Sequence, residues 1–469
     1  MNITSMAVKQ GISMDRRQLK MVYLSGRLVL GLCLLVLVAA CASSGGPGAD
    51  TEPVLTPEQV QLNLDSFDMV WTTIRDKHWD PELGGVDWQA ARDELRPMVA
   101  EATGMNQARS AMQDLIGRLG QSHFGIFPAD AYADAALATG TGDDAAEGFG
   151  GTAGLDVRVR DGQVLVVGVR PDSPAAEAGI QPGWQVVMVK SDTLSRRVAR
   201  LQETLPQNTS QGLLVSMAMQ GRLKGAPGST LPLVLRDGSG AEVALDLELV
   251  QERGALTSLG NMPPVRVWHE SRTLADGIGY FGFNYFLGIM EVMPAFNEAM
   301  AGYCDSRSPA RGMIIDLRGN PGGLGAMAMG MAGWFVDGKG HQLGTMTMRT
   351  GELNFAINPR PVSFQGPLAI LTDEVSASTA EIMAGGLQDL GRARIFGCTT
   401  AGAALPSVID KLPNGDGFQY AVANYESQGG RQLEGHGVAP DVEVPLSRES
   451  LLAEGDPVLK AAIAWIDSH

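Results

Sequence analysis

The sequence predicts a multidomain α/β protein, with a small helical region, then a β-rich module, then a larger α/β half. Three observations carry this reading. Apolar residues recur at helical spacing up to about residue 120, and from residue 155 they alternate as in strands. From residue 278 short apolar runs alternate with helical stretches, the pattern of a mainly parallel sheet buried on both faces. The 469-residue chain is long enough for several domains, and its 59 glycines and 25 prolines fit the many turns of such a fold.

The N-terminus reads as a targeting segment. Lys9, Arg16, Arg17, Lys20 and Arg27 precede an apolar run, residues 28–40, that is short for a spanning helix. Val38-Ala39-Ala40-Cys41 resembles a bacterial lipobox. That resemblance implies a signal peptide over 1–40, cleavage before Cys41 and lipid on Cys41, with a plain signal anchor as the alternative. Ala42, rather than Asp, follows the cysteine, which implies a lipid anchor on the periplasmic side of the outer membrane. Translation starting at Met14 or Met21 is also compatible with the long basic stretch.

Residues 41–55, rich in Ser, Gly and Pro, read as a tether. A helical domain is expected over 56–133. Thr56-Pro57-Glu58 supplies a cap and a first-turn proline, and Val60, Leu64, Phe67, Trp71 and Ile74 form one face. Further helices are expected over 86–94 and 106–119, ending in Gln121-Ser122-His123-Phe124. Residues 134–149, rich in Ala, Gly and Asp, read as a linker or gate.

Over 150–253 the alternation of Leu155, Val157 and Val159, the Asp161-Gly162 turn and the returning strand over 164–169 predict a β-rich module. Gly154-Leu155-Asp156-Val157, the capped turn over 173–179 and Pro182-Gly183 resemble a protease-associated PDZ domain. The resemblance implies that this first loop receives a peptide C-terminus and that the peptide adds as a strand. Residues 201–228 are longer and more polar than a compact PDZ domain requires.

The α/β half, 254–469, is expected to contain a strand over 277–283, a helix over 286–301 and a strand over 312–317. A turn, Arg318-Gly319-Asn320-Pro321-Gly322-Gly323, and a helix over 324–336 follow. An apolar strand over 368–371 then enters a turn carrying Ser376 and Ser378, before a helix ending at Gly391. A serine at a strand-to-helix turn sits beside free N–H groups and a partial positive charge, a setting that suits a nucleophile whose product is an oxyanion. Ser378 and Glu381 also satisfy a capping-box pattern, so Ser378 read alone is a helix cap.

The Asp316-to-Gly323 run, together with the serine turn, resembles the C-terminal processing and tail-specific protease family. The resemblance spans most of the chain and implies a crotonase-like catalytic domain with Ser378 as nucleophile. One departure stands out. The bacterial tail-specific branch activates its serine with a lysine in a Phe-Gly-Lys run, and here Ala401-Gly402-Ala403 takes that place. The tricorn-type core proteases instead use a Ser-His pair after the helical domain and a glutamate late in the chain. That resemblance implies His123 as base, oriented by Ser122, with Glu434 bonded to Ser122. His436 and Lys411 remain rival bases, and Glu443 or His436 rival partners. Backbone N–H groups of Gly322, Gly323 and Thr379 would form the oxyanion hole. The expected activity is that of a serine endopeptidase acting on polypeptides without metal or cofactor. A catalytically inactive peptide-binding lipoprotein is the alternative.

Composition narrows the partners. The formal charge of −16 argues for no nucleic acid and against an anionic membrane surface. The four cysteines are too few for the fold to depend on disulfides. The six histidines show no metal-ligand spacing, so no metal is expected.

Overall fold

The computed structural model describes residues 53–129 and 150–469, apart from 206, 275–276, 306 and 308. The signal segment, Cys41 and the expected linker over 134–149 lie outside the described residues.

Three helices open the described chain: α1 (Pro57–Lys77), α2 (Trp88–Ala100) and α3 (Met105–Gly117). Thr56 caps α1 with a full capping box and Pro57 fills its first position. The sequence predicted that α2 ends at Glu94. It runs to Ala100, passing through Pro97, and starts where the Asp87 side chain accepts the Ala90 N–H. Leu95 and Val99 continue its buried stripe, which accounts for the extra turn. Phe67, Val70, Ile74, Leu95, Met112 and Leu115 form the core of this unit.

That core is completed from far along the chain. Strand β1 (Gly125–Phe127) pairs with a hairpin strand near residue 420, and Leu412, Phe418 and Tyr420 pack among the helices. Arg109 donates to both Asp416 carboxylate oxygens at 2.8 and 3.0 Å, and Asp416 is fully buried.

The next module is an antiparallel sheet. Its strands β2 (Leu155–Arg160), β3 (Gln163–Val169) and β4 (Gln185–Val189) are followed by helices α4 (Leu194–Thr204) and α5 (Gln211–Arg222). Strands β5 (Thr230–Arg236) and β6 (Glu242–Glu248) then complete the order β2-β3-β4-β5-β6, leaving β2 at one edge. The polar surplus over 201–228 is thus largely helical. Leu213, Val215, Ser216 and Met219 give α5 a buried face.

The last unit is built on a six-stranded sheet. Its strands are β7 (His269–Leu274), β8 (Ile278–Phe283), β9 (Gly312–Asp316), β12 (Leu368–Thr372), β13 (Arg394–Gly397) and β17 (Val442–Glu443), in that order. Only the β7–β8 pair is antiparallel. Alternate residues feed two cores. Phe281, Met313, Ile315, Leu368 and Ile370 face α6 (Val292–Tyr303), α7 (Gly325–Ala332) and α8 (Thr379–Asp389). Tyr280, Ile314, Ala369 and Leu371 face the terminal helix α9 (Pro457–Asp467). Burial on both faces is why these strands read as unbroken apolar runs.

The expected helix over 286–301 starts only at Val292. Phe286 instead bridges Gly323, its N–H donating to Gly322 O at 2.8 Å and its carbonyl accepting Leu324 N–H. A second, three-stranded sheet covers α8: β10 (Gln342–Met348), β11 (Gly351–Ala356) and β16 (Ala423–Ser427). A Cβ on Gly386 of α8 would lie 2.7 Å from Leu343 of β10, so the helix sits against this sheet only because that residue is glycine. The hairpin near residue 420 comprises β14 (Ser407–Lys411) and β15 (Gly417–Ala421).

Replacing Arg109 leaves the Asp416 carboxylate buried without its cation. Arg109→Ala is expected to lower unfolding free energy by about 3 kcal/mol. Chemical denaturation of the two chains side by side measures this, and an unchanged midpoint would contradict it.

Candidate active site

Strand β12 delivers a tight turn whose hydrogen bonds are set by Asp373. Its Oδ1 accepts N–H groups from Val375 and Ser376 at 3.0 Å and from Gly319 at 2.9 Å. One carboxylate thereby joins the turn after β12 to the turn after β9. Burial pushes the Asp373 pKa up, but the Arg158 guanidinium and the Gly319 N–H outweigh it and hold this carboxylate below its usual range. Asn320, fully buried, adds a second link, accepting Ala377 N–H on its backbone carbonyl at 3.1 Å.

Ser378 lies at the end of this turn with φ 57° and ψ −118°. Positive φ is rare for a side chain with a Cβ and persists only where surrounding contacts dictate it. Here they do. Ser378 N–H donates to Ala403 O at 2.8 Å and to Glu381 Oε2 at 3.0 Å. Its Oγ, fully buried, makes no hydrogen bond among the described residues. Only the return half of the capping box is therefore made, and the hydroxyl is left without a partner.

Glu381 is the residue whose importance the sequence reading missed beyond its capping role. It is fully buried and accepts four hydrogen bonds. Oε1 takes Thr400 Oγ1 at 2.6 Å and Gly402 N–H at 2.8 Å, while Oε2 takes Ser378 N–H and Ala403 N–H, both at 3.0 Å. Burial pushes its pKa up to about 7 against these donors. The spacing from Ser378 marked it as a cap, but nothing local points to partners 19, 21 and 22 residues on.

The second group is a relay. Ser122 Oγ donates to Glu434 Oε2 at 2.8 Å, and Ser122 N–H donates to Glu434 Oε1 at 2.7 Å. Ser122 Oγ lies 2.7 Å from His123 Nδ1. With its own hydrogen given to Glu434, Ser122 Oγ accepts Nδ1–H, so the unprotonated ring nitrogen is Nε2. Nε2 is buried and has no hydrogen-bond partner among the described residues. His123 also holds a positive φ, 62°. Burial raises the Glu434 pKa against three donors, the third being Ala404 N–H at 3.0 Å.

Residues 400–404 tie the two groups together. Ala403 holds Ser378 and Glu381, and the next residue, Ala404, holds Glu434. Ser378 and His123 do not hydrogen-bond to each other; each ends in an unpaired polar atom. Ala403, the last residue of the Ala401-Gly402-Ala403 run, is fully buried in a cluster with Leu213 of α5. His436 is exposed, with Nδ1 3.0 Å from Glu434 O, and Lys411 is exposed at the end of β14, so neither rival base is drawn into this cluster.

Gly322 backs the serine so closely that a Cβ there would stand 2.7 Å from Ser378 Cβ. Its N–H is already donated to Asn320 Oδ1 at 2.9 Å, so in this conformation it is not offered to an oxyanion. Gly323 O accepts Thr379 Oγ1 at 2.6 Å, which brings Gly323 and Thr379 together. In the inserted module Leu155 and Val157 are buried, Asp156 is exposed, and Gly154 turns the chain with φ 81°.

The turn that carries Ser378 is covered. Leu213 and Met217 of α5 pack on Val375, Ala377, Ala401 and Ala403. Arg158 and Arg160 of β2 donate to Asp373 at 2.7 Å and to Glu374 at 2.6 Å. Cys398 Sγ lies 3.8 Å from Glu374, and burial pushes the thiol up to about 12, so it is protonated at neutral pH. Burial likewise lowers His123 to about 3. In this closed arrangement the imidazole is a weak base, and exposure to water would return it toward its ordinary value near 6.5.

Comparison with known proteins agrees with this geometry. Residues 277–444 match the model of Peptidase family S41. The chain carries a family S41 peptidase domain. It is a serine-type peptidase, and residues 64–118 match the Tricorn protease C1 domain. The chain is 24% identical over 416 residues to the carboxyl-terminal-processing protease of Synechocystis, covering 87% of this chain and 86% of that one. It is 26% identical over 296 residues to the carboxy-terminal processing protease CtpA of Bacillus subtilis, covering 62% of this chain and 56% of that protein. Among solved structures, the photosystem II D1 C-terminal processing protease aligns with a TM-score of 0.53 and 22% identity over 87% of this chain and 97% of its own. Mature CPAF aligns with a TM-score of 0.57 and 14% identity, over 87% and 96%. Both likenesses concern the fold.

A pH prediction follows from the buried imidazole. Between pH 6.5 and about 3 the unfolded chain binds a proton at residue 123 that the closed native state does not. Native stability from this group is therefore full above pH 6.5 and falls as pH drops toward 3. Glu381 and Glu434, whose pKa values are raised, act in the opposite sense, losing stability as pH rises. The comparison that isolates the imidazole is between the parent and His123→Asn. The parent should lose more unfolding free energy from pH 6.5 to pH 4 than the variant, and parallel pH profiles would contradict this.

Proposed function

We propose that the chain is a lipid-anchored serine endopeptidase on the periplasmic side of the outer membrane. It cleaves polypeptides recognised in part by their C-termini through the insert over 150–253, read as PDZ-like. The observation that carries this reading is the pair of unpaired atoms, Ser378 Oγ and His123 Nε2, fastened to the adjacent residues 403 and 404. The Cys41 motif supports the anchor. The carboxyl-terminal-processing names of the relatives support the substrate end.

The chemistry runs through this chain's own groups. His123 Nε2 takes the Ser378 proton as Oγ attacks a peptide carbonyl. The imidazolium that forms keeps its Nδ1–H on Ser122, which passes the stabilisation to Glu434; the base is held by two partners in series. The Gly323 N–H, in the turn before α7, and the Thr379 N–H, at the start of α8, receive the oxyanion. His123 then returns the proton to the leaving amine, and water releases the acyl group from Ser378 by the same route. No lysine is required, because Glu434 and Ser122 set the tautomer that makes Nε2 basic. Substrate must displace α5, which covers Ser378 in the resting chain.

Incubation of the full chain with an unfolded polypeptide bearing an apolar C-terminus tests the reading. Cleavage should disappear in Ser378→Ala and in His123→Ala. Glu434→Gln should lower kcat by about 10²–10⁴-fold, since it disturbs the orientation of the base without removing it. Cleavage that persists in Ser378→Ala contradicts the assignment of the nucleophile, and persistence in His123→Ala alone sends the base to His436.

A further inference from the structure

The edge strand β2 is already paired, though not with a strand. Val157 N–H donates to Gln220 Oε1 at 2.9 Å, and Gln220 Nε2 donates to Leu155 O at 2.8 Å. Two residues on, Val159 N–H donates to Ser216 Oγ at 3.4 Å. On their other side these residues pair with β3, so Leu155 O, Val157 N–H and Val159 N–H form the outward ladder of an edge strand. An added peptide strand would use the same groups.

We infer that Gln220 is an internal stand-in for the peptide: its carboxamide occupies the β2 ladder in the resting chain, and a substrate's extended C-terminal segment must expel it to bind. This rests on the C-terminal recognition proposed above. A carboxamide carries the donor and acceptor of a peptide bond on one side chain, so it satisfies Leu155 and Val157 with no strand present. An apolar residue there would leave both backbone groups unpaired beneath the helix.

The position of Gln220 gives the competition a consequence. It lies on α5, a single twelve-residue helix. The same helix places Leu213 and Met217 on the nucleophile turn, and its Ser216 Oγ donates to Glu374 Oε1 at 3.0 Å. Leu213, Ser216, Met217 and Gln220 stand at i, i+3, i+4 and i+7, so groove and cover share one stripe of a single helix. A peptide that pairs with β2 interacts better with the state in which Gln220 has withdrawn, and that difference in affinity shifts the population. Gln220 sets the threshold: the stronger its pairing, the better the peptide needed.

The test is peptide affinity in the full chain carrying Ser378→Ala, which prevents turnover. The probe is a fluorescent peptide with an apolar C-terminus and a free carboxylate, followed by anisotropy. Gln220→Leu removes both competing hydrogen bonds at similar size and should tighten binding about tenfold. Gln220→Glu keeps the acceptor for Val157 but loses the donor to Leu155, and should fall between parent and Gln220→Leu. Equal or weaker binding by a folded Gln220→Leu overturns the inference while leaving C-terminal recognition standing. If Gln220→Leu does not fold, the Gln220→Glu comparison decides, with affinity no better than the parent's counting against the inference. Binding by none of the chains, or binding indifferent to amidation of the peptide's C-terminus, overturns recognition and the inference together.

Discussion

The Glu381 carboxylate is the constraint on which the site depends. A buried carboxylate is costly unless it is hydrogen-bonded, and this one accepts four donors, three of them backbone N–H groups. Those donors come from the nucleophile turn and from residues 400–403, so satisfying Glu381 fixes two stretches against each other. The strained φ of Ser378 is one product of that fit. Another is the placement of Ala404, whose N–H reaches Glu434 and through it Ser122 and His123. The proposed nucleophile and base, Ser378 and His123, come from far-apart stretches of the chain, and this short segment is where both are held.

The same economy appears in how the site is closed. Asp373 and Glu374 flank the nucleophile turn, and each meets an arginine from the edge strand of the inserted module. The Arg158–Asp373 pair is buried and the Arg160–Glu374 pair half-buried, so they are little screened by salt, and separating them without substitute partners would be costly. The apolar contacts of Leu213 and Met217 add a desolvated cover. Burial also takes the His123 imidazole far below its ordinary pKa. The resting chain thus keeps its relay assembled while denying it both water and basicity.

Much of this was legible in the sequence, and the rest shows what periodicity cannot carry. The buried strands β9, β12 and β13 and the turn at Ser378 announce themselves through apolar runs ended by polar turns. Ser122, His123 and Glu434 were singled out by resemblance rather than by pattern, and the structure brings Ser122 within hydrogen-bonding distance of both others. The helix expected from Phe286 begins six residues later because Phe286 pairs with Gly323, a contact nothing local encodes. The core of the helical unit borrows Leu412, Phe418 and Tyr420 from a distant hairpin, so its limits are not readable from the helices alone. Residues 201–228 looked too polar for a compact module because much of their polar surface faces solvent or β2, while a narrow stripe on α5 does the packing.

The most direct test of the central claim is the rate at which a fluorophosphonate acylation mimic modifies the full chain, followed by intact mass and peptide mapping in the presence of an apolar C-terminal peptide. A serine activated by the Glu434–Ser122–His123 relay predicts one adduct, on Ser378, forming far more slowly in His123→Ala. An adduct elsewhere, or equal rates with and without the imidazole, would contradict it.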